Sequence, residues 1–510
     1  MASICTSNVT SGFIDLATFD ELEKYMYGGP DATAYFVRET RKSTWSTQVP
    51  VVLSRASGTP AFETEWSVSI SRAGDYLLAT WLRLQTPAIH LTTPVPPAQP
   101  PANPLEIKTV RWTRNFMHSI IREACITFND LVAARFDCWH LDFWTAFTVP
   151  ASKRNAYNNM IGNFPEMTDP QIPTVVGGVV TKGASIKPFI LNLPLPFFYA
   201  RDSGVALPTA ALPYNDMRLN FSFRRWEDLL IIDTFNNDPI NSTTYTYGNT
   251  RCATSDDLSA IPLLNNVQVW ANYAIVSNDE RKRMACAPRD ILIEQVQTAP
   301  SQTFAPKPSP MPRYDIRFSH AIKVLFFSAR NSTYPCSWAN YTAGQPIIEY
   351  YLDQNPNPPA NAYVATINYS SPSMVDPIRV TSLIYENTNR LAQMGSDYFS
   401  LVNPWYSAPA IPLETGYHLY SYSLDFISLD PMGSTNYGKL TNVSIVPEAS
   451  DESQDYNNTF PSSTTPEGQA EIIRLNNVGI YKQQTYNFIV TAVNNNIVRI
   501  SGGALGFPVL

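Results

Sequence analysis

The feature that most constrains this chain is an ordered internal repeat. Three blocks of its first half have counterparts, in the same order, in its second half. GDYLLATWLRLQTP (74–87) matches SHAIKVLFFSARNS (319–332) in character, each a small-residue entry into a long apolar strand. SIIREACITFNDLVAARFDCWHLDFWTAF (119–147) resembles DPIRVTSLIYENTNRLAQMGSDYFSLVNPWY (376–406), each running from a strand through an Asn-bearing turn into an aromatic segment. FILNLPLPFFYARDSGVALPTAALPYNDMRLNF (189–221) parallels YHLYSYSLDFISLDPMGSTNYGKLTNVSI (417–445), an aromatic strand, an Asp/Gly/Ser turn and another strand. The offsets, roughly 230 to 260 residues, are far above solenoid periods and mean two duplicated domains.

Length agrees, because 510 residues exceed what one hydrophobic core usually supports. Composition sets the class of each half. Charged residues are only 15%, while 42 prolines and 27 tyrosines accompany abundant Phe, Thr and Asn, which suits short strands joined by turns better than long amphipathic helices. For duplicated all-β units of this size, the eight-stranded jelly roll leads. The expected fold is all-β, two tandem eight-stranded jelly-roll β-sandwich domains with a few short helices in loops and linker.

Local patterns fill in this outline. Trp66, Val68 and Ile70 alternate with serines, and Tyr76, Leu78, Leu82 and Leu84 keep a period of two after the turn at Gly74-Asp75. Met217, Leu219, Phe221 and Phe223 alternate with Arg218, Asn220, Ser222 and Arg224, the mark of a half-exposed antiparallel strand. In the second half Tyr314, Ile316 and Phe318 alternate, as do Ile322, Val324 and Phe326, and then Tyr420, Tyr422, Leu424 and Phe426. NFIVTAV and IVRI, around Asn494-Asn495-Asn496, read as a terminal hairpin. TPVPPAQPPANP and DESQDYNNTFPSSTTPEGQ read as exposed loops.

Helical spacing is rare. Thr18-Phe19-Asp20-Glu21 reads as a capping box with Ala17 and Leu22 as a staple, opening a small amphipathic helix that Gly28-Gly29-Pro30 stops. Val132, Phe136, Trp139, Phe143 and Phe147 suggest one helix within the first domain, and Ser277-Asn278-Asp279-Glu280 opens a short charged one near mid-chain. The expected organisation is an N-terminal arm over 1–30, a first jelly roll over 31–276, a linker helix over 277–289 and a second jelly roll over 290–510.

Several functions are disfavoured. The net charge is −7, and no basic run exceeds Arg281-Lys282-Arg283, so direct packing of nucleic acid is not expected. The six cysteines, Cys5, Cys125, Cys138, Cys252, Cys286 and Cys336, lack C-x-x-C spacing and read as free thiols in a reducing compartment. No secretory leader or membrane-length apolar run is visible. The five histidines, His90, His118, His140, His320 and His418, are isolated, and the Cys138/His140 pair has no second pair to complete a metal site. There is no G-x-S-x-G, Walker loop or H-E-x-x-H, and Gly502-Gly503-Ala504-Leu505-Gly506 reads as a terminal turn. No catalytic, cofactor-binding or metal-binding residue is nominated, and no cofactor is expected. Clusters such as Trp405-Tyr406 and Tyr417 to Tyr422 suit a sandwich core or subunit interface, with sugar stacking in a lectin-like or glycan-cleaving sandwich as the rival class.

At SGFIDLATFDELEKYMYGGPDATAYFVRE, SRAGDYLLATWLRLQTP, LPLPFFYARDSGVALPTAALPYN, RDILIEQVQTAP, RFSHAIKVLFF, GSTNYGKLTN and GALGFPVL the chain resembles the major capsid proteins of iridoviruses, those of the invertebrate iridescent viruses above all. The resemblance runs from about Ser11 to Leu510. It implies two tandem jelly rolls and a non-enzymatic coat protein. Three copies would form a capsomer of near-hexagonal outline, since three double barrels turn three-fold symmetry into six-fold-like packing. Capsomers would tile the outer icosahedral shell of a large double-stranded DNA virus around an internal membrane. Implied partners are the chain itself as homotrimer, neighbouring capsomers, and minor capsid and penton proteins, with the inner face near the membrane. The implied location is the virion, after synthesis and assembly in the host cytoplasm.

Overall fold

The computed structural model describes residues 2–37, 40, 42–92, 106–169, 171, 174–176, 179–237, 245–304, 312–343, 376–412, 414–450, 453 and 484–507. They form two compact units, Met1–Trp45 and Ser46–Leu510. The smaller one carries two helices, α1 (Ala2–Ala17) and α2 (Glu21–Met26). The cap of α2 is Asp20, whose carboxylate accepts from the Leu22 amide at 2.9 Å, while the Thr18 hydroxyl turns back to the Asp15 carbonyl. The expected helix is therefore present with its cap two residues later than Thr18, and α1 ahead of it was not expected. Among the described residues no helix is long and apolar enough to cross a membrane.

The larger unit holds the strands. In the first half those that build the two principal sheets are β1 (Ser46–Val52), β2 (Ser54–Ser57), β3 (Glu65–Ser69), β4 (Tyr76–Gln85), β5 (Ile121–Phe128), β6 (Leu131–Asp137), β7 (Ile190–Pro194), β8 (Met217–Phe223) and β9 (Asn265–Val276). The second half supplies β10 (Arg289–Thr298), β11 (Tyr314–Asp315), β12 (Ala321–Asn331), β13 (Ile378–Tyr385), β14 (Thr388–Gly395), β15 (His418–Ser421), β16 (Val443–Ala449), β17 (Tyr486–Ser501) and β18 (Ala504–Gly506). The first half pairs them as β1-β9-β4-β7 and β2-β3-β8-β5-β6, and the second as β10-β17-β12-β15 and β11-β16-β13-β14. Apart from the extra edge strand β2, which has no counterpart, the two orders coincide position by position. That is the eight-stranded jelly roll built twice, and all ladders within these sheets are antiparallel.

Even the turns repeat. The β5–β6 hairpin bends at Asn129 and Asp130 (φ 48° and 66°), and β13–β14 bends at Glu386 and Asn387 (φ 47° and 64°). Two successive left-handed residues match the twist of a two-residue hairpin. The charged helix α4 (Asn278–Cys286) follows β9 with Ser277 at its N-cap, although no side-chain capping bond forms. Arg281 on α4 closes a bidentate pair with Asp75 at the entry to β4 (2.7 and 2.9 Å).

Where one face is wet, period two holds: β8 buries Met217, Leu219, Phe221 and Phe223 and leaves the residues between them half exposed. Elsewhere bulges shift the phase. In β4 the buried set is Leu77, Thr80, Leu82 and Leu84, because a register shift opposite Asn272/Tyr273 moves Leu77 inward in place of Leu78. The expected hairpin at Asn494-Asn495-Asn496 is instead the middle of β17, 16 residues long, paired without interruption to β10 from Thr298↔Thr491 to Arg289↔Ile500. The asparagines belong to the ladder: Gln297 donates to Asn494 Oδ1 (2.8 Å) and Asn496 donates to Gln295 Oε1 (3.0 Å). The true terminal hairpin turns at Gly502 and Gly503 (φ 61° and 80°) into β18, as expected of that glycine pair.

Two more expectations fail. Val132 and Phe136 lie in β6, and the helix α3 (Cys138–Thr148) begins after them, capped by Asp137, which accepts from the His140 amide at 2.9 Å. The alternation from Tyr420 to Phe426 stops at Ser421, leaving Leu424 85% exposed and Phe426 buried. The proline-dense stretch and, apart from Ser453, the polar stretch near 451–469 lie outside the described residues.

Candidate functional site

Two jelly rolls joined by a linker act as one building block only if their junction is stiff. Its core is α3, which leaves the first roll with an aromatic face. Phe143, Trp144, Ala146 and Phe147 pack with Val324, Phe326, Tyr341, Tyr417, Leu419, Phe426, Ile489 and Val493, all from the second half. The outer face of the β10-β17-β12-β15 sheet is thereby buried. This accounts for β12 being buried on both faces: Leu325, Phe327 and Ala329 point into the second roll's own core, whereas Val324 and Phe326 meet α3. Phe143 and Phe147 stack on Phe326 at 6.2 and 5.7 Å, and Trp144 meets it edge-on at 6.4 Å. Each such ring, fully buried, contributes about 1.5–3 kcal/mol of transfer free energy.

Polar groups lock this contact in one register. Asp142 on α3 accepts from Asn115 (3.1 Å) and is bound by His118 Nδ1 (2.7 Å) on the first-roll side, and accepts from the Tyr341 hydroxyl (2.8 Å) on the other. The second nitrogen of His118 is held by the Tyr157 hydroxyl at 2.7 Å. Burial, with the Asp142 charge beside it, pushes the Tyr341 phenol well above its ordinary pKa, so it stays a donor at neutral pH. Glu294 of β10 is shared by two cations, Lys323 of β12 and Arg201 of the first half. Arg201 also lies 4.3 Å from the Trp144 ring and donates to the Ile427 carbonyl at 3.1 Å. Lys323 donates to the Ser428 carbonyl at 3.0 Å.

A third contact surrounds Trp338. Its ring is sandwiched between the guanidinium groups of Arg224 (3.6 Å) and Arg330 (4.1 Å), and its indole N–H donates to the Asp228 carbonyl at 2.8 Å. Beside it Cys252 of the first half and Cys336 of the second are joined as a disulfide, Cα–Cα 5.7 Å apart and 84 residues apart in sequence. The expectation of free thiols is corrected for these two; pairing depends on proximity in the fold, which spacing along the chain does not encode. Cys125, Cys138 and Cys286 are free. Burial raises the Cys138 thiol to about 11 against the pull of Arg224, so it stays protonated.

None of this is arranged for turnover. The small cavity beside α3, about 80 Å³, is lined by Asp142 with its partner Asn115, by the ion pair Arg114–Glu414 and by Arg154, which donates to the Ala146 and Val149 carbonyls, so its charged groups are already engaged within the protein. His140 is buried between Trp144 and Phe326, and His418 is held by Asp376 Oδ2 at 2.6 Å inside the second roll. Among the described residues no three His, Cys, Asp or Glu side chains gather as a metal site. The junction residues escaped sequence reasoning, although single charges inside apolar runs, Asp142 in HLDFWTAF and Lys323 in AIKVLFF, were a usable signal.

A pair of jelly rolls packed together in this way is the double-barrel fold of solved viral coat proteins. The capsid model of PBCV-1 superposes with a TM-score of 0.67 at 18% identity, covering 94% of this chain and 100% of that one. The Faustovirus major capsid protein gives 0.59 at 12%, covering 92% and 93%. Sequence is more specific. Residues 34–276 match the family model described as the major capsid protein N-terminus, and 280–506 match the one for the large eukaryotic DNA virus major capsid protein. The major capsid protein of Costelytra zealandica iridescent virus is 58% identical over 508 residues, covering 100% of both chains. Those of Tipula iridescent virus (57%, 98% of each chain) and Invertebrate iridescent virus 6 (56%, 100% of each) are similar. The chain belongs to the major capsid proteins of the large eukaryotic DNA viruses, alongside those of the iridescent viruses. It is a structural component of the virion and not an enzyme.

Proposed function

We propose that this chain homotrimerises into pseudo-hexameric capsomers that tile the outer icosahedral shell of a large double-stranded DNA virus with an internal membrane. The observation that carries the reading is the packed, ion-paired junction between two rolls of matching strand order. Six similar barrels around a three-fold axis give a near-hexagonal tile only if each pair is held in one orientation. The arm over residues 1–30, the rolls over 31–276 and 290–510 and the linker helix over 277–289 are its working parts. The net charge of −7 fits a shell separated from the genome by a membrane and argues against direct nucleic-acid contact. Neighbouring capsomers and minor capsid and penton proteins are the further partners, with the inner face near the membrane and assembly in the host cytoplasm. Light scattering on purified protein tests the reading. A mass of three chains of 57.0 kDa is expected, and a monomer at all concentrations contradicts it.

A further inference from the structure

The two rolls are built alike but are not covered alike. In the first roll, α3 begins one residue after β6 and lays Phe143, Trp144 and Phe147 on the outer sheet face of the second roll. In the second roll a helical run over residues 396–407 begins one residue after β14, at the equivalent place. It packs on its own roll through Phe399, which touches Phe327 and Tyr420. Its other face, Val402, Trp405 and Tyr406 at i, i+3 and i+4, is 43%, 72% and 82% exposed. Among the described residues this face of the second roll stays open.

The receiving surface shows the complementary vacancy. Phe326 of β12 lies between Thr491 and Leu419 on its neighbouring strands, and α3 covers it. The equivalent residue of β4 is Trp81, which lies between Trp270 of β9 and Pro194 of β7. Trp81 and Trp270 stack with ring centroids 6.1 Å apart on the outward side of the sheet, only half buried, with Pro194 and Val52 exposed around them. The same strand order therefore carries a covered aromatic face in one roll and an open one in the other.

We infer that the open helix of the second roll, through Trp405 and Tyr406, docks on the Trp81/Trp270 face of the first roll of a second copy of this chain. The contact within one chain already shows the geometry that fits: an aromatic helix following the second strand of a hairpin (β6 there, β14 here), laid across the outer face of a sheet of the other kind of roll. Each chain then has one helix to give and one face to receive. A head-to-tail contact of this kind closes into a ring when the rotation allows, and three copies place six barrels in alternating within-chain and between-chain contacts. Aromatic anchors buried at the centre of an interface carry most of its energy.

The inference rests on the trimer reading, and one set of measurements separates the two. In the native protein, hydroxyl-radical footprinting should find Trp405, Trp81 and Trp270 protected relative to Tyr214, which is exposed on the first roll. Trp405→Asp with Tyr406→Asp should keep the unfolding profile and weaken association by about 100-fold or more, giving monomers by light scattering. Tyr214→Asp should remain trimeric. A native trimer in which Trp405 and Trp270 react as freely as exposed side chains, or a double variant that stays trimeric, overturns the docking surface and leaves the trimer standing. A native protein that is monomeric overturns both.

Discussion

Glu294→Gln is the sharpest probe of the junction. The carboxylate is buried, its side chain 7% exposed, and it faces Lys323 (3%) and Arg201 (14%), one from each half of the chain. Glutamine preserves shape and one acceptor but removes the charge, so two cations remain desolvated with no anion between them. Breaking a buried pair by removing one partner costs about 3–5 kcal/mol, since the surviving charge cannot regain its water. Replacing all three residues with apolar ones of similar size should be far milder, because nothing charged is then left behind. The assay is calorimetric and urea unfolding of wild type, Glu294→Gln and the triple variant Glu294→Leu/Lys323→Met/Arg201→Met. The expected pattern is a large loss for the single change, with separate unfolding steps for the two rolls, and a smaller loss for the triple. A single variant within about 1 kcal/mol of wild type would refute the assignment of these charges as a lock.

Acid should loosen the same junction through His140, and oxidation should tighten it. Burial, reinforced by the positive charge of Arg201, lowers the folded pKa of His140 to about 3 from an ordinary 6.5. Between those values the unfolded chain takes up a proton that the folded one refuses. Stability is therefore complete above pH 6.5 and falls by up to about 1.4 kcal/mol per pH unit below it, levelling near pH 3. Unfolding free energies from urea titrations at pH 7 and 5 should differ by about 2 kcal/mol more for wild type than for His140→Gln, and equal differences would remove His140 as the cause. Reducing Cys252–Cys336, or replacing Cys252 with Ser, should cost about 2–5 kcal/mol, because the bond closes a long loop in the unfolded chain. Unfolding curves that coincide with and without reductant would contradict this.

How much of this was legible follows from which residues answer to local rules. The eight matched strands could be read because duplication preserved the order of strand, turn and aromatic block, down to the left-handed pairs Asn129-Asp130 and Glu386-Asn387. Period two located β8 correctly because only one of its faces is dry. The same rule misassigned β12, where Ile322 enters the second roll's core but Val324 and Phe326 belong to the junction, after a register shift between Ile322 and Val324. It also could not see that three asparagines remain in a strand when glutamines on β10 bond with two of them. The junction was hidden for another reason. Asp142, Arg201, Glu294, Trp338 and the two joined cysteines meet only once both rolls exist, so nothing in their sequence neighbourhoods announces the partner.

The central claim is that two like barrels, locked in one orientation, make a three-chain tile with a six-sided outline. Class averages of negatively stained native protein test it most directly. Three-fold particles with a near-hexagonal outline, about six equal lobes around a centre, are the predicted result. Particles with two lobes and no three-fold symmetry, or lobes joined at variable angles, would contradict it.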